Sequence, residues 1–236
     1  MLIFTLVLLS SCSARPTQQD LFTAVAVGNL KELQRILAAG ANINTKLNDG
    51  TTPLIVSVTE KQHKISEYLI NKGADLDASD GYGNTALNYA VNQNNYGLTE
   101  LLLCKGTNPN SVNKNDYSPL RDVISFKKYK LMELLLKYKT NPNRRDSEGN
   151  TPLFYAVTKN DFTSVKMLLS YGADVNIINN MERSVLTNAL MQHDYEMADL
   201  IVNQKSFSSS KCLHSLLKHK DFIDNKYLKK IEALKE

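Results

Sequence analysis

Residues 146–178 read DSEGNTPLFYAVTKNDFTSVKMLLSYGADVNII, and the order of side chains in this stretch decides the fold. A hydroxyl and a proline (Thr151, Pro152) open a short apolar run, and Lys159–Asp161 interrupt it. A second apolar run ends in Leu168-Leu169, and Gly172 closes the unit. Working outward, the same order recurs every 33 residues. The hydroxyls are Thr52, Thr85, Ser118, Thr151 and Ser184, and each is followed two positions later by Leu54, Leu87, Leu120, Leu153 or Leu186. Small or slender residues stand five positions after the hydroxyl: Ser57, Ala90, Val123, Ala156 and Ala189. Aliphatic pairs follow at Ile36-Leu37, Leu69-Ile70, Leu102-Leu103, Leu135-Leu136, Leu168-Leu169 and Ile201-Val202, and glycines at 40, 73, 106 and 172. Columns held in one register over this length define an internal repeat.

Each column has a physical task. The hydroxyl accepts a hydrogen bond from a free N–H at a helix start. Proline at 53, 119 and 152 falls in the first turn, where a missing N–H costs nothing. The small residue permits close approach of neighbouring units, the aliphatic pair fills the space between helical layers, and glycine ends the second helix with φ > 0. Asn48-Asp49-Gly50 and Gly81-Tyr82-Gly83 turn the chain toward the next unit.

These residues resemble ankyrin repeats from about Leu21 to Gln204, with 146–178 matching nearly throughout. The resemblance implies an all-α fold: a solenoid of stacked helix-turn-helix units joined by β-hairpin-like fingers. The predicted organisation is repeats over 20–205, about six with the first acting as a cap, then capping helices over 206–236. Two departures stand out. The histidine of the family pattern is replaced by Ile55, Asn88, Arg121, Phe154 and Thr187, and the terminating glycine by Lys139 and Lys205. Repeats four and six are therefore expected to be the least regular. His63 shares a column with Leu30, Tyr96, Tyr129, Phe162 and Tyr195 and is expected to be packed.

The first fourteen residues, MLIFTLVLLSSCSA, have a different character. Leu2–Leu9 would make roughly 12 Å of helix against a ~30 Å bilayer core, the size of a signal-peptide apolar segment. Leu9-Ser10-Ser11-Cys12 resembles the bacterial lipoprotein cleavage box, although no Lys or Arg precedes it. That resemblance implies a signal peptide over 1–11, acylation of Cys12, a polar tether over 12–19, and a lipid-anchored mature chain in the bacterial cell envelope. Cleavage after Ala14, giving a secreted effector or host-interaction protein, is one alternative, and an uncleaved or mis-called start, giving an intracellular adaptor, is another.

Composition is globular, with 42% hydrophobic and 22% charged residues, and the net charge of +4 does not argue for nucleic acid. Three scattered cysteines make neither a disulfide framework nor a zinc site. No Gly-x-Ser-x-Gly, phosphate-loop or His-Glu-x-x-His pattern occurs, so no catalytic site, cofactor, metal or small-molecule substrate is expected. The ankyrin resemblance instead implies a protein partner across the fingers and first helices. The candidate partner-binding residues are Tyr82, Asn84, Tyr117, Phe126, Arg145, Glu148, Lys159, Met181 and Arg183. Between Arg121 and Arg145 eight basic residues face two acidic ones, a local +6 that would suit an acidic or anionic partner.

Overall fold

The structure, a computed structural model, describes residues 16–233. The leader and Cys12 lie outside the described residues. The described helices are α1 (Gln18–Ala26), α2 (Leu30–Ala38), α3 (Pro53–Thr59), α4 (His63–Asn71), α5 (Ala86–Asn92), α6 (Tyr96–Cys104), α7 (Pro119–Ser125), α8 (Tyr129–Lys137), α9 (Pro152–Thr158), α10 (Phe162–Ser170), α11 (Val185–Met191), α12 (Tyr195–Val202), α13 (Ser209–Lys218) and α14 (Asn225–Glu232), short and longer ones alternating from α3 to α12. Among the described residues there is no strand. The hairpin character of the fingers is confined to isolated bridges, Ser79 to Thr85 and Ile178 to Ser184.

The repeating hydroxyl fixes where the first helix of each pair begins. Thr52, Ser118, Thr151 and Ser184 accept from the N–H of the third residue on, at 3.3, 3.2, 3.3 and 3.1 Å. Thr85 is answered by Asn88, whose side-chain oxygen accepts from the Thr85 N–H at 3.0 Å. α1 starts at Gln18, inside the expected tether, because Thr17 and Asp20 form a capping box.

Three left-handed positions per repeat make the turns. The column expected from sequence holds Gly40, Gly73, Gly106, Lys139 and Gly172, all with φ > 0. Lys139 keeps φ +60 and α8 is as long as α6 and α10, so repeat four is regular, contrary to expectation. Repeat six departs as expected: α12 is one residue shorter, and Lys205 is not among the positive-φ residues. A second column, Gly28, Lys61, Asn94, Lys127, Asn160 and His193, turns between the two helices of each pair and is nearly free of glycine. The third is Gly50, Gly83, Asp116, Gly149 and Glu182, at the finger bends.

The described chain forms two compact units dividing after Ala74. In the first, α1 packs on α2 and α3, and α3 on α4. Leu21, Val25, Leu33, Ile36, Leu54, Val58, Ile65 and Leu69 form its buried layer. Ser57, in the small-residue column, is buried but satisfied by the Leu54 carbonyl at 2.7 Å and Ser66 at 2.8 Å. In the second unit α5, α7, α9 and α11 pack in succession, α6 and α10 flank α8, and α13 closes on α11. Its core runs through Leu87, Leu102, Leu120, Leu135, Leu153, Leu168, Leu186 and Ile201. Removing one such leucine side chain is worth about 2–5 kcal/mol.

Backbone groups between layers of the second unit are satisfied by another column, Asp77, Asn110, Asn143 and Asn176. Each side chain accepts a backbone N–H from the next repeat: Asn108 at 2.8 Å, Asn141 at 2.8 Å, Asp174 at 2.7 Å and Ser208 at 2.8 Å. At the end of the array Cys212 is fully buried, and burial pushes its thiol up to about 11. Ser215 of α13 donates to the Glu182 carbonyl, lies 2.7 Å from the Thr187 hydroxyl and accepts the Ser184 N–H, which ties the cap to repeat six.

The column of His63 does not pack as expected. His63, Tyr96 and Tyr195 are exposed, and Leu30, Tyr129 and Phe162 are half-buried. Each opens a second helix at the turn, and burial begins two residues later, as at Ile65, Leu98 and Met197.

Gly83 and Gly106 share positive φ but not surroundings. A Cβ on Gly83 would stand 3.0 Å from the Asn113 Cα and the Lys114 N, whereas one on Gly106 would meet nothing within 4 Å. Gly106→Ala is therefore expected to lower stability by about 1 kcal/mol from conformation alone. Gly83→Ala adds a backbone clash and is expected to cost at least about 1 kcal/mol more, measured by urea unfolding. Equal losses would show that the fingers do not pack tightly.

Candidate protein-binding surface

Every expected contact residue lies in the second unit, and the fingers there are built from one Asx position each. Asp80, Asn113, Asp146 and Asn179 accept two backbone N–H groups across their own bend, for example Tyr82 and Asn84 on Asp80 at 2.9 and 3.0 Å. The remaining capacity of each alternates. Where the residue is Asp, a tyrosine nine positions on donates to it: Tyr89 to Asp80 at 2.5 Å, and Tyr155 to Asp146. Burial, reinforced by the Asp146 bond, pushes the Tyr155 hydroxyl up to about 12. Where it is Asn, its amide donates backward to the preceding finger: Asn113 to Asn84 at 3.0 Å, and Asn179 to Asn150 at 2.7 Å.

This scaffold sorts the expected contact residues. Tyr82, Phe126 and Met181 are 72%, 67% and 59% exposed. Glu148 and Lys159 are also exposed. Asn84 is half-buried and serves Asn113, while Arg145 donates to the Ile178 carbonyl at 3.1 Å and to Asn180 at 3.3 Å, so both hold fingers together. Arg183 is only half-exposed, with its Nε buried. Tyr117 lies under Arg121, whose guanidinium carbon is 4.0 Å from the Tyr117 ring centre and 4.3 Å from that of Tyr155.

The basic run is largely engaged as well. Arg144 pairs with Asp116 at 2.7 Å and Lys137 with Glu133 at 2.8 Å. Burial works against the Asp116 charge, but Arg144 and the Ser147 N–H outweigh it and hold the carboxyl below its usual range. Lys128 donates to the Val91 and Asn92 carbonyls at 3.0 and 2.9 Å, capping the end of α5. Its column shows why: Asn29, Asn95, Asp161 and Asp194 are short enough to cap their own helices, and Lys128 is not. Lys127, Lys130 and Lys139 are exposed and form no ion pair among the described residues.

Sequence reading missed Asp122 on α7. It is 7% exposed, and burial pushes its carboxyl up to about 6 against the pull of Lys128 and Arg121. The folded chain thus holds this proton up to about pH 6, and the unfolded chain only to the ordinary 3.8. The folded state binds more protons in that window, so ionisation of Asp122 lowers stability as pH rises through it. That difference in proton affinity sets the scale at roughly 2–3 kcal/mol. Asp122→Asn is expected to raise unfolding stability at pH 7.5 by about 1–3 kcal/mol, with the gain vanishing near pH 4. A gain equal at both pH values would show that the charge is not its cause.

Elsewhere the Cys104 thiol is exposed and 2.7 Å from the Tyr138 hydroxyl. Among the described residues no group of His, Cys, Asp and Glu is placed to hold a metal, and no helix is long and apolar enough to cross a membrane.

A family model described as ankyrin repeats (three copies) matches residues 21–113, 97–179 and 120–212. No curated protein matches the chain. Among solved structures, the ankyrin-repeat domain of Bcl-3, a member of the IkappaB family, is 26% identical with a TM-score of 0.72, covering 80% of this chain and 87% of that one. An ankyrin-repeat domain from Acinetobacter baumannii is 22% identical with a TM-score of 0.71, covering 79% and 97%. A chain from the complex of a predatory endopeptidase from Bdellovibrio bacteriovorus with an immunity protein is 21% identical with a TM-score of 0.64, covering 80% and 100%. With the repeat columns, the capped helix pairs and the matched family model in agreement, the chain belongs to the ankyrin-repeat family, whose repeats are protein–protein interaction modules.

Proposed function

We propose that the protein is a non-enzymatic, lipid-anchored component of the bacterial cell envelope whose second unit docks a protein partner. One observation carries the docking: Tyr82, Phe126 and Met181 leave most of their bulk in solvent, on the fingers and at a first-helix end. Large apolar and aromatic side chains with no packing task are the types that dominate interface energy. Tyr117, Glu148, Lys159 and Arg183 border them in sequence register, and Asn84 and Arg145 keep the fingers in place. Support for the anchor is Leu9-Ser10-Ser11-Cys12: acylation at Cys12 would attach several chains, and one chain alone anchors marginally. The rival reading, a secreted chain cut after Ala14, draws on the small residues Cys12 and Ala14.

Two experiments test these readings separately. Cells given radioactive palmitate should label the protein, and Cys12→Ala should abolish both the label and membrane fractionation; a variant that stays labelled overturns the anchor. A photo-crosslinking residue placed at 82, 126 or 181 should capture the same partner, and one placed at Lys166, exposed on α10, should not. Capture through 166 alone would move the interface to the second helices.

A further inference from the structure

The first helices of the second unit share one position, four residues after the opening hydroxyl: Tyr89, Asp122, Tyr155 and Asn188. Three of the four are satisfied. Tyr89 and Tyr155 donate to Asp80 and Asp146, and the Asn188 amide donates to the Thr158 hydroxyl at 2.9 Å. Asp122, more than nine-tenths buried, receives no hydrogen bond among the described residues. The groups that could supply one are engaged elsewhere. Asn113, at the base of its own finger, donates to Asn84. Arg121 lies between two tyrosine rings and donates to the Asp116 carbonyl, and Lys128 is fixed on α5.

A recessed carboxylate with no donor weakens the fold. Proteins break such rules chiefly where a ligand completes the arrangement. Asp122 also has a companion. Phe126 stands four residues on, over the same face of α7, with two-thirds of its surface exposed. Packing of α7 between α5 and α9 places the pair in the interior of the unit's row of first helices.

We infer that Asp122 and Phe126 form a recognition site for an arginine side chain of the protein partner, the guanidinium donating to the Asp122 carboxylate and lying against the Phe126 ring. The inference rests on the docking reading above and names the chemistry that the partner must present. Arginine fits better than lysine because its planar fork pairs with a carboxylate through two N–H groups while its face stacks on an aromatic ring, and its hydration shell is weaker. Lys128 sits 5.2 Å from the Phe126 ring centre, so a cation already rests against this aromatic. The arginine gives Asp122 the donors that the fold withholds.

The test uses the isotope-labelled full-length chain and two small probes, N-acetyl-arginine methylamide and its neutral counterpart N-acetyl-citrulline methylamide. Amide resonances of Asp122 and Phe126 should shift on addition of the arginine probe with a Kd in the millimolar range. The citrulline probe should bind at least about tenfold more weakly, the size of one charge-assisted hydrogen bond. Asp122→Asn should erase the preference, and Phe126→Ala should weaken arginine binding with Asp122 intact. Equal response to both probes, or a preference that survives Asp122→Asn, overturns the site. So does a response of these resonances to a glutamate-rich peptide but not to arginine, which would assign the face to an acidic partner through Lys127, Lys130 and Lys159. Silence toward arginine with the residue-82 crosslink intact overturns the arginine site and leaves the docking reading. Loss of the crosslinks with arginine preference intact does the reverse.

Discussion

A pair of short antiparallel helices cannot bury its own oily surface, and every other feature of this protein answers that constraint. Leu120, Val123 and Leu135 are completely or almost completely buried because neighbouring pairs cover them, not because their own pair folds around them. Neighbours can cover them only if all pairs are cut to one length and turned at the same points. The capping hydroxyls set the starts and three left-handed positions per repeat set the turns. The Asp77, Asn110, Asn143 and Asn176 side chains then satisfy backbone groups that a stack would otherwise leave without partners. Periodicity here is a condition for burial.

Much of this was legible in the sequence because each constraint demands a residue type. A hydroxyl is needed to cap, a small side chain for close approach, an aliphatic pair between layers, and these are what recur every 33 residues. Legibility failed where the backbone, not the side chain, carries the requirement. The turn between paired helices takes Lys61, Asn94, Lys127, Asn160 and His193 in the left-handed region, so no glycine column announces it. Lys139 shows the same tolerance, which is why repeat four stays regular. His63 is a different case: it aligns with aromatics in the sequence, but its position opens a helix at a solvent-facing turn.

The candidate surface was legible only in part. Exposure of Tyr82, Phe126 and Met181 follows from register alone. The duties of Asn84, Arg145 and Arg121 do not, because they depend on partners in the adjacent repeat, about 29 to 35 residues away. The alternation of Asp with Tyr and of Asn with Asn repeats over two units, twice the period that identifies the fold. Asp122 was invisible for a related reason. One aspartate in a column of tyrosine and asparagine carries no signal until its lack of a donor is seen in three dimensions.

The 33-residue unit is the quantum of stability in this fold. Removing residues 118–150, which joins Tyr117 to Thr151 in unbroken register, should leave a shorter chain that unfolds cooperatively in urea, with an m-value reduced roughly in proportion to the residues lost. Removing only residues 118–133, about half a unit, should abolish cooperative folding. A half-unit deletion that folds as well as the whole-unit deletion, or a whole-unit deletion that does not fold, would contradict it.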